Sequence, residues 1–188
     1  MANDSSTGGF IPPAGSPAPL TDAALDALFQ QLVVGVTGLA GDMVRPRWQP
    51  IVPKQPDPST NWCAIGVTDI APDDYPSEVH SGAGNGSDTQ SDHESITVIA
   101  SFYGPNALAN AKQLRSGLYV AQNRETLVAA NINLIEAKRL VQAPDLVNEQ
   151  WVKRWDMTIV FRRQSVYIYP ILNILSAGPP VIETDIHS

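Results

Sequence analysis

The sequence holds one cysteine, Cys63. A lone thiol excludes an internal disulfide framework and any cysteine-only zinc site. Its place in the apolar run WCAIGVTDI makes it a small buried hydrophobe by default. No run of about eighteen apolar residues is present, and the opening residues MANDSSTGGFIPPAG lack the charged-then-apolar order of a secretory leader. The expectation is a soluble protein made in the cytosol, with no membrane partner.

The signatures of catalysis are equally scarce. There is no Gly-x-Ser-x-Gly elbow and no cysteine–histidine pair to supply an activated nucleophile. The run GAGNG from Gly82 lacks the Lys-Ser/Thr and the following helix that a phosphate loop needs, so it reads as a flexible tip. Of three histidines, His80 and His93 lie near Asp88, Asp92 and Glu94, the best set for a transition metal. No short His-x3-His spacing accompanies them, and the reading is of no metal and no cofactor. Asp73 and Asp74 read as solvated turn residues rather than an acid–base pair. The chain is therefore expected not to be an enzyme.

Lys and Arg are missing altogether between Asp69 and Glu94, where Asp69, Asp73, Asp74, Glu78, Asp88, Asp92 and Glu94 fall. That segment carries the whole net charge of -7, because acids and bases balance elsewhere. An acidic chain without a basic stripe is a poor grip for nucleic acid. It can still line a passage for a polyanion, since like charge keeps DNA off a wall.

What is present begins with a proline-, glycine- and serine-rich stretch over 1–20, read as a flexible arm. Its Phe10 and Ile11 offer a means of docking on a neighbour. Thr21 then looks like a helix N-cap, and Leu25, Leu28, Phe29, Leu32, Val36 and Leu39 form one apolar stripe at helical spacing. Gly35 and Gly38 weaken the second half, placing the end between Val34 and Met43. RPRWQPIVPKQPDP, from Arg45 to Pro58, must be extended, since its prolines fix φ and bias their neighbours away from helix. It reads as a rigid spacer, with Trp48 pinned against the core or a neighbouring subunit.

Trp62–Ile70 and Ser95–Tyr103 read as two strands, paired antiparallel through a long acidic loop over 71–94. A helix capped by Asn106 follows, with Leu108, Ala111, Leu114, Leu118 and Ala121 inward. Next come a short helix over 124–130, a strand over 132–137, and one helical turn at APDLVNE, 143–149. From Trp155 to Phe161 the odd positions are apolar and their neighbours mostly charged or polar, the period of a half-buried strand. β-branched and aromatic residues continue to Ile174, giving one very long strand or two adjacent ones, with Pro170 at an edge, a bulge or a strand start. The tail after residue 176, with Val181, Ile182 and Ile186, frays by default, or adds a strand to another subunit. Trp62 and Trp155 are expected in the core, whereas Trp48 and Trp151 beside loops either plug gaps or anchor an interface.

Taken in order, RPRWQP at 45–50, NWCAIG at 61–66, SFYGP at 101–105, QNR at 122–124 and WVKRWDMTIVFRR at 151–163 resemble the neck terminator, or tail terminator, family of contractile-tailed bacteriophages. The resemblance covers roughly residues 21–175. It implies an α+β fold, a mostly antiparallel sheet with two main helices packed on one face and extended N- and C-terminal arms. That fold would occupy a single domain over 21–176, between an arm at 1–20 and a tail at 177–188. It further implies a virion protein, assembled in the host cytoplasm, that forms a homo-oligomeric, hexameric ring at the top of the tail. Tail tube and sheath proteins and the head–tail connector or collar proteins would be its partners, with DNA only passing through the lumen. Other readings are a different head–tail joining or tube-initiating protein, a free-standing binding domain, or an unrecognised hydrolase. On the ring reading, Trp48, Trp151, Lys153, Arg154, Arg162 and Arg163 are candidate subunit-interface residues, and Asp73, Asp74, Glu78, Asp88, Asp92 and Glu94 are candidate lumen-facing acids.

Overall fold

A computed structural model of the chain describes residues 3–14, 18–51, 53–147 and 149–174. The described residues fall into two compact units, one drawn from 18–76 and 91–166, the other from 3–14, 77–90 and 167–174.

The first unit is built on a sheet of order β1-β2-β4-β8-β5. Its strands are β1 (Val44–Pro46), β2 (Trp62–Pro72), β4 (Ser87–Tyr103, in its C-terminal part), β5 (Ile132–Gln142) and β8 (Arg154–Tyr169, up to Val166). β2 pairs antiparallel with β4 in the register Cys63↔Phe102 and Ile65↔Ala100, and β5 pairs antiparallel with β8. β1, the start of the proline-rich stretch, runs parallel to β2. The fold is α+β with a mostly antiparallel sheet. β8 is a single strand through Arg163, Gln164 and Ser165, with no hinge there, and it stops before Pro170, which has no N–H to donate.

Period-two alternation decides which side of this sheet is dry. Cys63 and Ile65 on β2, Ile96, Val98, Ala100 and Phe102 on β4, and Met157, Ile159 and Phe161 on β8 are all buried in one cluster. Over them lie helix α1 (Asp22–Thr37), through Leu25, Phe29, Leu32 and Val33, and helix α2 (Ala107–Gly117), through Ala107, Ala111 and Leu114. Phe29 meets Phe161 with ring centroids 5.0 Å apart. α1 ends where Gly38 turns left-handed at φ 72 and returns its N–H to Val34 O. Leu118 continues the buried stripe of α2, whereas Ala121 is exposed, because a short 3-10 turn over Ala121–Arg124 takes over before α3 (Glu125–Ala129).

Three expectations are corrected. The 143–149 segment holds no helical turn. β6 (Asp145–Val147) and β7 (Gln150–Val152) form a two-stranded hairpin, with Leu146 opposite Trp151 and Glu149 taking the turn at φ 63. Trp62 is not in the core, because the same alternation that buries Cys63 sends its indole to the other face. The acidic stretch 71–94 is not a structureless loop. β2 runs on to Pro72, β3 covers Ser77–Ser81, and β4 begins at Ser87.

In the second unit β3 pairs with β4. The arm over 1–20 is tied down in part: Ser5 N donates to Pro170 O, Ala14 N donates to Ile168 O, and Ser5 Oγ accepts from Leu172 N. Phe10 is nonetheless exposed, and Val181, Ile182 and Ile186 of the tail lie outside the described residues.

The α1–α2 crossing is set by Gly117, where an added Cβ would stand 2.3 Å from Val36 Cγ1. Gly117→Ala is expected to cost about 1–3 kcal/mol, as overpacking does. A denaturant midpoint that does not move would contradict this account of the helix pair.

Candidate functional site

The sheet face that no helix covers holds the polar and aromatic residues. Trp62 and Tyr103, partners in the β2–β4 register, stack with centroids 4.1 Å apart and planes 6° from parallel. The Arg45 guanidinium caps the indole at 5.9 Å, and that of Arg154 lies 5.7 Å from the Tyr103 ring. Each cation–aromatic contact is worth about 0.5–1 kcal/mol where water reaches it. Burial and the loss of hydration push the Tyr103 hydroxyl above its ordinary range. Arg154 is held by a fork to Asp156 at 2.8 Å and by Asp145 at 3.1 Å, and the Asp156 hydrogen bonds raise its pKa further. Asp145 thereby links the β6–β7 hairpin to the start of β8.

The proline-rich stretch lies along the same face. Arg47 N donates to Ile65 O, and its guanidinium donates to the buried Ser101 hydroxyl. The Trp48 ring crosses Gly66, where a Cβ would meet both Arg47 Cβ and Trp48 Cζ3 at 3.0 Å. Trp48 holds φ 56, a conformation rare outside glycine, and remains 70% exposed. Between this stretch and the hairpin opens a cleft of about 580 Å³, walled by Arg45, Trp48, Trp62, Tyr103, Asp145 and Leu146. Trp151 and Leu146, paired on the hairpin, are 71% and 60% exposed.

Of the residues singled out from sequence, Trp48, Trp151 and Lys153 present exposed surface. Arg154, Arg162 and Arg163 find carboxylates within their own chain. Arg162 donates to Asp73, whose carboxyl its hydrogen bonds hold below the usual range. Arg163 is buried on the helix side, where Nε reaches Glu94 and Nη1 reaches Leu20 O, just ahead of α1. It fastens the entry of α1 to the two central strands. Trp62, Tyr103, Arg45 and Leu146 were missed. The alternation of Cys63, Ile65 and Val67 already sends Trp62 to the opposite face, and applying that parity would have found it.

In the second unit, Asp88 and His80 are joined at 2.5 Å through Nδ1, while Nε2 lies 3.0 Å from Asn173 Oδ1. Both ring nitrogens face acceptors, a setting that only the doubly protonated imidazolium satisfies. The hydrogen bond with Asp88 raises the His80 pKa, and a hydrogen bond with the same Asp88 carboxyl, followed by its negative charge, raises that of Glu78. Asn173 also donates to Gly82 O and Gly84 O. Gly86, at φ 98, leaves room for it, since a Cβ there would be 2.6 Å from Asn173 N. Burial pushes the Cys63 thiol far up, which keeps it unreactive. Among the described residues, no group of three or more His, Cys, Asp and Glu side chains is placed to hold a metal ion, and no helix is long and apolar enough to cross a membrane.

What such a face offers chemically is contact: flat aromatic surface and guanidinium edges on a braced sheet, with the exposed indoles of Trp48 on the proline-rich stretch and Trp151 on the hairpin. Its class is that of assembly proteins. A family model described as phage neck terminator protein matches residues 23–185, and the chain belongs to that family. No curated protein matches it. Membership makes the chain a structural component of the phage neck, located in the virion and meeting other head or tail proteins.

Two outcomes test the polar anchors. Arg163→Ala, which leaves Glu94 without its cation, is expected to cost roughly 3 kcal/mol, while Glu94→Leu combined with Arg163→Met recovers much of it. Equal midpoints for wild type and Arg163→Ala in thermal unfolding would contradict the role given to that pair. For His80, the folded pKa lies above the unfolded value of 6.5, so its stabilisation is full below that value and is lost as pH rises through the folded pKa. An NMR titration is expected to show His80 titrating above 6.5 and dropping in Asp88→Asn; titration at or below 6.5 would refute the arrangement.

Proposed function

We propose that this neck terminator protein closes into a hexameric ring at the top of a contractile tail, where it stops growth of tube and sheath and docks to the head–tail connector. The observation that carries this reading is the division of the sheet. One side is sealed by α1 and α2, the other presents Trp48 and the aromatic cleft to solvent, and Trp151 is exposed on the β6–β7 hairpin opposite Leu146 of that cleft. A heterologous contact, in which one surface meets a different surface of the next copy, closes into a ring when the rotation per subunit divides a full turn. Trp48, Trp151 and Lys153 are the interface residues this reading retains.

On this reading the exposed acids of the segment, Asp74 and Glu78 among them, face the lumen, whereas Glu94, held by Arg163 on the helix side, does not; Lys and Arg are absent from the segment. Negative charge on that wall lets DNA pass without adhering. The pairing of Asp73 with Arg162 and of Glu94 with Arg163 offsets two of the seven acids between Asp69 and Glu94, and the rest leave the segment negative.

Native mass by light scattering, followed by negative-stain imaging, is the test. The expected result is a six-copy species with a central hole, formed either by the protein alone or on addition of tail tubes. A species that remains monomeric under both conditions would overturn the ring.

A further inference from the structure

We infer that the cleft between the proline-rich stretch and the β6–β7 hairpin receives the C-terminal segment GPPVIETDI, residues 178–186, of a second copy of this chain. The proposal rests on the ring reading above and names one of its contacts.

The cleft has the chemistry of a proline- and acid-binding groove. Its walls are the Trp48 and Trp62 indoles and the Tyr103 ring, with Pro46 and Pro53 at the margin and Arg45 beside Trp62. Aromatic grooves of this type take extended proline segments, which pack flat rings on flat rings and lose little chain entropy on docking. The acid in the wall, Asp145, is already engaged by Arg154. The guanidinium of Arg45 donates to backbone carbonyls of Asp42 and Lys54 and keeps its formal charge.

The segment is complementary feature by feature. Gly178, Pro179 and Pro180 open it, Val181 and Ile182 supply apolar bulk, and Glu183 and Asp185 bring two carboxylates, with no Lys or Arg from 164 to 188. The family match runs to residue 185 and so covers nearly all of this segment. The cleft walls themselves expose apolar surface, with Trp48 70% and Leu146 60% exposed and Trp151 opposite Leu146 on the hairpin 71% exposed, and surface of that kind marks contact sites. A tail donated from copy to copy links one surface to a different one, the connection a closed ring requires.

The experiment uses the full chain carrying Leu146→Cys and Val181→Cys, oxidised and run on a non-reducing gel. Cys63 is buried and stays silent. The expected result is a ladder of cross-linked multimers, absent from either single-cysteine protein and lowered on the order of tenfold when Trp48→Ala is added, the loss expected for an anchoring indole. A fast-migrating internally cross-linked monomer, or no cross-link beyond the single-cysteine controls, overturns the proposal. Light scattering of the same reduced protein separates the two readings. Ring mass without a cross-link removes the tail contact and leaves the ring, whereas monomer mass with and without tail tubes removes both.

Discussion

Alternation along β4 and β8 is the constraint on which the larger unit depends. Side chains on a strand must point to opposite faces, so a run that buries Ile96, Val98, Ala100 and Phe102 also commits Thr97, Ile99, Ser101 and Tyr103 to the other side. β8 repeats the pattern, with Met157, Ile159 and Phe161 under the helices and Arg154, Asp156 and Arg162 opposite. Burial of one face, at roughly 25 cal/mol per Å² of apolar surface, stabilises the layer. The other face is then held rigid without a second layer of helices, and it is free to carry contacts.

The polar groups follow from this division. On the covered side, Arg163 is buried and is satisfied by Glu94 and the Leu20 carbonyl, which fixes where α1 begins. On the open side, Arg154 is braced by two carboxylates and stacks over Tyr103, so the charge stiffens the aromatic row rather than reaching outward. A surface of this sort loses little side-chain entropy on binding, because its rings and guanidinium groups are already ordered. Such a face suits a structural component of a phage neck.

Much of the larger unit was legible from residues alone, and for identifiable reasons. α1 shows an unbroken 3.6-residue stripe from Leu25 to Val36, and β8 shows clean alternation from Trp155 to Phe161, so each period had only one element to fit. The motifs from RPRWQP to WVKRWDMTIVFRR pointed to the family to which the chain belongs. The β6–β7 hairpin was hidden because Pro144 and short polar residues mimic the opening of a helix, while the contact that ties it to β8, Asp145 with Arg154, lies nine residues away. β3 was hidden because glycines and acids lower strand propensity, and its unit is held by contacts such as His80 with Asp88 and Asn173, the last 93 residues distant in sequence. The aromatic row escaped because stacking of Trp62 on Tyr103 depends on the register between two strands, and neither run specifies its register by itself.

The central claim is that the helix-free face is the one used in assembly. Hydroxyl-radical footprinting of the purified, dilute protein against the protein in intact necks tests it directly. The account predicts strong protection of Trp48 and Trp151 in the neck, with Tyr119, exposed after α2, little changed. Full reactivity of both indoles, with protection confined to Tyr119 and the outer surface of α2, would contradict it.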